Sequence, residues 1–277
     1  MKTQILKTSM IGFSISTLVL LAFLLVSCEK VIVIDLNSKE PQIVIEGNIS
    51  NQPGPYKVIL TQTANYDESN NFPAVSGAMV TISDDSGNSE LLAETSSGTY
   101  ATSTIQGTPG RSYTLKVTAN GVEYLATSIM PAPVSIDALS VVTENNPKGN
   151  NDKTIYVGFT DQAGIANYYR FIKIINGITQ STLYVEDDLL QDGNTINHPL
   201  LSYGQDETSI KTGDDVTIVL QTIDKKVYDY FRTLLQLSSG GFISQSTSPA
   251  NPLTNISNST LGYYNACSVT SGTIIVP

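Results

Sequence analysis

The sequence predicts an all-β protein with one or two helices, an N-terminal Ig-like β-sandwich followed by a second β-rich domain. Three observations carry this expectation. Short runs rich in Thr, Val, Ile and Tyr recur along the chain, and such residues fit a pleated, half-buried surface. Clusters of Gly, Asn and Asp, the turn formers, separate the runs. Within the runs apolar and polar residues alternate: Tyr113, Leu115 and Val117 share one side, and Thr114, Lys116 and Thr118 the other.

The first segment is of another kind. Lys2 and Lys7 precede an apolar run from Ile11 to Val26, 16 residues long. As a helix it would reach about 24 Å at ~1.5 Å per residue, short of the ~30 Å hydrocarbon core. These are the proportions of a signal peptide, expected over residues 1–27. It closes on Leu25-Val26-Ser27-Cys28, a lipobox. The Cys28 thiol is the nucleophile that takes a diacylglyceryl group, so Cys28 is the expected lipidation site. Several long acyl chains, each buried CH₂ adding about 0.8 kcal/mol, would make the attachment permanent. Residues 28–39 then read as a lipidated tether.

The sandwich is expected over residues 40–131. Its strands are Gln42–Ile49, Tyr56–Thr63, Ala78–Ser83, Glu90–Glu94, Gly98–Thr102, Ser112–Ala119 and Val122–Ile129. Asp84-Asp85-Ser86-Gly87-Asn88 forms a hairpin turn, and Asn120-Gly121 is the preferred two-residue type I′ signal. Short strands at such spacing suggest a sandwich. Met130-Pro131-Ala132-Pro133 enforces an extended link and marks the boundary. Beyond it, over residues 132–277, strands are expected at Ile155–Thr160, Tyr168–Ile175, Gln180–Glu186 and Asp214–Thr222. The period then changes. Val227, Phe231, Leu234 and Leu235 follow one helical face, placing a helix near 225–238 with Asp224 as N-cap and Gly240-Gly241 as its stop. Strands at Leu261–Thr270 and Thr273–Val276 close the chain.

Charge and reactive residues narrow the function. The formal net charge is −10, and loss of Lys2 and Lys7 with the leader makes it more negative. Such a chain repels phosphate backbones, which argues against nucleic acid as a partner. With Cys28 lipidated, Cys267 has no disulfide partner and reads as a buried structural thiol. His198 is the only histidine, lies in a predicted loop and has no serine elbow near it, so no histidine-based catalytic set is expected. One histidine and one free cysteine also rule out a zinc site of the usual kind.

Two weaker groups remain. Glu186-Asp187-Asp188 with Asp192-Gly193 gathers carboxylates of the type that ligates calcium. The spacing is not D-x-[DN]-x-[DN]-G, so a solvated loop is the plainer reading, as a turn is for Asp84-Asp85 with Asn88. No metal and no cofactor are expected. Tyrosines come in pairs, Tyr168-Tyr169 and Tyr263-Tyr264 among them. Neighbours on a strand face opposite ways, so one of each pair can meet a partner. Tyr169, Tyr264, Asp187 and Asp188 are the candidate binding residues. Asn255-Ile256-Ser257 and Asn258-Ser259-Thr260 match glycosylation acceptors but read as turns.

Several separated segments share one likeness. They are Cys28-Glu29-Lys30-Val31-Ile32, Pro41 to Ser50, Val75 to Ile82, Pro109 to Tyr113, Met130 to Pro133, Asp161 to Phe171, and Pro249 to Ile256 with Leu261-Gly262-Tyr263-Tyr264. Together the chain resembles a Bacteroidota lipoprotein family catalogued as a domain of unknown function, number four-two-four-nine. The resemblance implies a β-rich outer-membrane lipoprotein, often encoded beside a TonB-dependent transporter, and brings no catalytic residues. The expected protein is therefore non-enzymatic, held at the outer membrane by lipid, binding a ligand or partner for such a transporter. The alternatives are a structural or adhesive surface module, and a carboxylate-dependent hydrolase using Asp or Glu residues near Asp187, Asp188 or Asp214.

Overall fold

The computed structural model describes residues 40–64, 72–145, 151–201, 209–238 and 251–277, without the side chains at 144, 145, 151, 152 and 238. The leader, Cys28, the tether and the Gly240-Gly241 stop lie outside these residues. The chain begins with β1 (Ile43–Ser50) and β2 (Lys57–Gln62), then β3 (Met79–Asp84), β4 (Ser89–Leu91), β5 (Ala93–Ser96) and β6 (Thr99–Ala101). The hairpin β7 (Ser112–Ala119) and β8 (Val122–Ile129) follows. It turns at Asn120 and Gly121 with φ of 51° and 76°, the left-handed pair that a type I′ turn requires.

After the Met130–Pro133 link come β9 (Ile136–Asn145), β10 (Asn151–Thr160), β11 (Tyr168–Ile175), β12 (Ile178–Thr179), β13 (Tyr184–Asp187), β14 (Thr195–Leu200) and β15 (Asp215–Ile223). The helix α1 (Lys225–Ser238) and β16 (Leu261–Ile275) complete the order. Asp224 caps α1, accepting the Val227 amide at 2.9 Å. The same carboxylate accepts the Ser128 hydroxyl and the Ile129 amide of β8. One cap thus also ties the helix to the N-terminal half.

The fold is all-β, with one α-helix among the described residues, and is built as sandwiches. A nine-stranded sheet has the order β12-β11-β15-β16-β1-β2-β6-β5, with β13 also on β11. One part of it faces the sheet β4-β3-β7-β8, enclosing Ile45, Ile49, Val58, Leu60, Val80, Ile82, Leu115 and Val117. Another part faces β14-β10-β9, enclosing Phe171, Ile175, Ile218, Leu220, Ile155, Val157 and Phe159. The helix covers the reverse face of the long sheet through Val227, Tyr228, Tyr230 and Phe231.

The 15-residue β16 runs through both sandwiches. Its first part pairs in parallel with β1, and the rest is antiparallel to β15. The Met130–Pro133 link therefore separates two cores, while Ile256, Tyr264 and Ala266 return the chain to the first. Several details differ from the sequence expectation. The expected strand Gln180–Glu186 is reduced to β13 at Tyr184–Asp187, and the expected strand Glu90–Glu94 is broken at Leu92 between β4 and β5. His198 lies in β14 and pairs with Val157; it is a strand residue, not a loop residue. β9 was not foreseen. The two expected final strands are one, because Ser271 and Gly272 stay in register with Val219 and Ile218.

Candidate functional site

Two loops at one end of the second sandwich form the site. The first, residues 161–167, leaves β10 and enters β11. The second, residues 188–194, leaves β13 and enters β14. Since β13 pairs with β11 and β14 with β10, the strand pairing itself delivers the loops side by side.

Five backbone or carboxylate bonds fasten them. At one end the Asp161 amide donates to the Asn194 carbonyl at 3.0 Å, and the Gly193 amide donates to Asp161 Oδ2 at 2.8 Å. In the middle the Gly164 amide donates to Asp192 Oδ1 at 2.7 Å. At the other end the Asn167 amide donates to Asp188 Oδ2 at 2.9 Å, and the Asp188 amide returns to the Asn167 carbonyl at 3.3 Å. The Asn167 side chain braces its own loop through the carbonyls of Gln162 and Ile165. Asp161, Asn167 and Asp188 are all buried.

Carboxylate oxygens of Asp161, Asp188 and Asp192 lie within 4.8 Å of one another. An oxygen-rich grouping of this sort has the chemistry of a hard-cation ligand set. Its donors among the described residues are the chain's own amides and the Tyr169 hydroxyl, which donates to Asp161 Oδ1. The grouping thus already serves to hold one loop on the other.

The candidate residues disperse. Asp188 joins the site. Its neighbour Asp187 points away and accepts the Tyr228 hydroxyl at 2.8 Å and Arg232 Nη1 at 3.3 Å. Burial and that bond push the Tyr228 phenol up to about 12. Tyr169 and Tyr264 are both fully buried, so neither meets a partner at the surface. They are the core members of their pairs; Tyr168 and Tyr263 lie under α1. Burial, then the bond to Asp161, holds the Tyr169 phenol well above its ordinary value.

The other sequence candidates are structural. Cys267 is buried, and burial raises its thiol to about 12. His198 stacks on Phe171 at 5.2 Å with 11° between the rings, and burial lowers its pKa. Asn255 holds the amide and carbonyl of Tyr264 with its side chain, and Asn258 donates to the Glu123 carbonyl at 3.0 Å. Asp214 accepts from Asn176 at 2.9 Å and from the Lys211 amide at 2.7 Å.

Sequence reasoning missed Asp161, Asp192's role as a fastener, and the residues that the loops display. Leu189 and Leu190 are 81% and 90% exposed, and Ile165 in the facing loop is 52% exposed. The Gln191 amide donates to the Asp188 carbonyl at 2.7 Å, so the two leucines are the corners of a β-turn. Those positions favour Pro, Asp, Asn, Ser and Gly. Two leucines there were the available signal.

The family comparison covers this whole body. The family model described as "Domain of unknown function (DUF4249)" matches residues 29–273. An all-β, multi-sheet chain matched over that span belongs to this family. No curated protein gives a significant match.

Proposed function

We propose that this protein is a lipid-anchored, non-catalytic binding module of the outer membrane that serves a TonB-dependent transporter. The observation that carries the reading is the lipobox Leu25-Val26-Ser27-Cys28, which ends a leader and stands directly before the family's β-body. A thiol at that place is the acceptor for diacylglycerol, and two or more acyl chains fix a protein to a bilayer. The body behind it supports the reading in a second way. Its histidine, its free cysteine and the acidic residues weighed as catalytic are engaged in packing, turns and loop fastening. A rigid sheet carrying surface loops is the usual scaffold for recognition.

Two measurements test the reading. Radiolabelled palmitate should enter the wild-type protein and be absent from Cys28→Ala. A pull-down of the lipidated protein from native membranes should recover a barrel transporter. An unmodified N-terminus removes the anchor from the reading, and a pull-down that never yields a barrel removes the transporter.

A further inference from the structure

We propose that the fastened loops are a docking knob, with Leu189, Leu190 and Ile165 entering an apolar socket, rimmed by Lys or Arg, on a membrane-protein partner. The proposal rests on the partner-binding reading above and names the surface that would perform it.

The side chains come first. Leu189 and Leu190 are among the most exposed large apolar residues described, at 81% and 90%, and Ile165 adds to them at 52%. Scattered surface leucines need no explanation. Three large aliphatic groups on two adjoining loops approach the few hundred Å² at which an apolar patch marks an interaction site. Folding does not ask for them, because turn corners are better filled by polar residues or glycine.

The second point is rigidity. Ordering a loop upon binding costs free energy, about 0.5–1.5 kcal/mol per immobilised side chain. Here the backbone part of that ordering is already in place. Asp161, Asp188 and Asp192 join the loops at both ends and in the middle. At the Gly193 position a Cβ would lie 2.7 Å from the Ala163 Cβ, so the two backbones are in close contact. A pre-ordered base lowers the ordering cost of binding, so more of the gain from burying these apolar groups is kept as affinity.

Charge then selects the occupant. Neither loop contains Lys or Arg, and with Asp161 and Asp188 buried against the loops' own donors, the one acid of the three left to face a partner is Asp192. Asp192 is exposed beside the leucines. An anionic lipid surface repels this end of an already acidic chain, and a second copy would bring the same sign of charge to itself. A protein socket with an apolar floor and cationic rim satisfies both components.

Photocrosslinking in cells tests this with the full-length, lipidated chain. The photoreactive amino acid p-benzoylphenylalanine replaces Leu190 in one strain. In a control strain it replaces Leu91, which is 64% exposed on β4 of the other sandwich. The expected result is one adduct from position 190 and none from position 91, mapping by mass spectrometry to an apolar pocket flanked by Lys or Arg. Adding Ile165→Asp should lower its yield at least about tenfold without changing the melting temperature of the purified protein. No adduct, an adduct with lipid alone, or equal yields from both positions overturns the proposal. The two readings separate cleanly. A barrel recovered by pull-down but trapped only from position 91 leaves the transporter role standing and removes the knob. A non-transporter protein trapped from position 190 does the reverse.

Discussion

Two acidic turns in this protein look alike in sequence and behave differently in the fold. In the hairpin at residues 84–88, Asp84 accepts the amides of Ser86 and Asn88 at 3.0 and 2.9 Å, the Asn88 side chain at 2.8 Å, and Arg111 at 2.6 Å. Most of its donors are four residues away or fewer, and the turn fits its sequence. In the loop at residues 188–194 the acids bind donors on another loop, and the corners are leucines. A turn whose chemistry is satisfied locally needs no further explanation. A turn that departs from local preference, and is reinforced from a distance, is where an interaction surface is to be sought.

Removing the reinforcement is expected to have the largest effect. Asp161→Ala leaves the buried Tyr169 hydroxyl and the Gly193 amide without their acceptor. The stranded buried hydroxyl costs about 1–3 kcal/mol and the exposed Gly193 amide adds less, so urea unfolding should show a loss of about 1–4 kcal/mol. A loss below about 1 kcal/mol would mean the loops do not depend on this carboxylate.

Two glycines compare the turns directly. Gly87 has φ of 90° with open space around its would-be Cβ, whereas Gly193 has φ of 69° and would meet Ala163. Gly87→Ala carries only the left-handed backbone cost, about 1 kcal/mol. Gly193→Ala adds the overlap and should cost about 1–3 kcal/mol more. Equal losses in chemical denaturation would show that the loops are not in close contact.

The exposed hairpin should instead reveal itself through pH. Burial alone would raise the Asp84 carboxyl, but donors from Asn88, Arg111 and Ser86 bring it from 3.8 down to about 2. Glu90, bound by Ser103, Thr104 and Ile105, likewise falls from 4.5 to about 2 despite partial burial. A lowered folded-state pKa contributes stability that is complete above the unfolded value and lost as pH falls through the folded one. The melting temperature should therefore decline between about pH 4.5 and 2, and less steeply in Asp84→Asn with Glu90→Gln. Parallel pH profiles would reject this assignment.

Much of the fold was legible because its signals are local. Asn120-Gly121 announces a hairpin, and both residues adopt positive φ. The change of period at Val227 announces α1. The misreadings have physical causes. Pro199, Asn197 and the preceding Asn194 disguised β14, yet a strand at the edge of its sheet tolerates proline. β9 lacks clean alternation, and its register against β10 shifts near Gly158 and Phe159. The site was only half legible. Asp188 sits in a conspicuous acidic run, but Asp161 meets it only after β10–β14 and β11–β13 have paired. For the tyrosine pairs, alternation tells that two faces exist and not which one α1 will cover.

A smaller effect is expected from chelation. The Asp161–Asp188–Asp192 grouping could act as a cation site or as a fastener supplied by the chain's own donors. As a fastener, the protein purified with EDTA should melt within about 1 °C of the untreated protein, since no bound ion then adds its linkage term. A drop of several degrees, restored by calcium, would make the grouping a metal centre and would distinguish it sharply from the Asp84 hairpin.

The smallest effect belongs to the residues on which the comparison turns. Leu189 and Leu190 project into solvent, so replacing both with Ser removes little buried apolar area. Surface changes away from special features usually stay within about 0.5 kcal/mol, and Ser suits a turn corner better than Leu. The double variant should therefore match or slightly exceed the wild type in urea unfolding, while losing the partner adduct formed at a neighbouring probe position such as Ile165. Leucines retained for folding would show the opposite pattern, with stability falling and the adduct unchanged. That outcome would place the loop 188–194 in the same class as the hairpin at 84–88, a turn and nothing more.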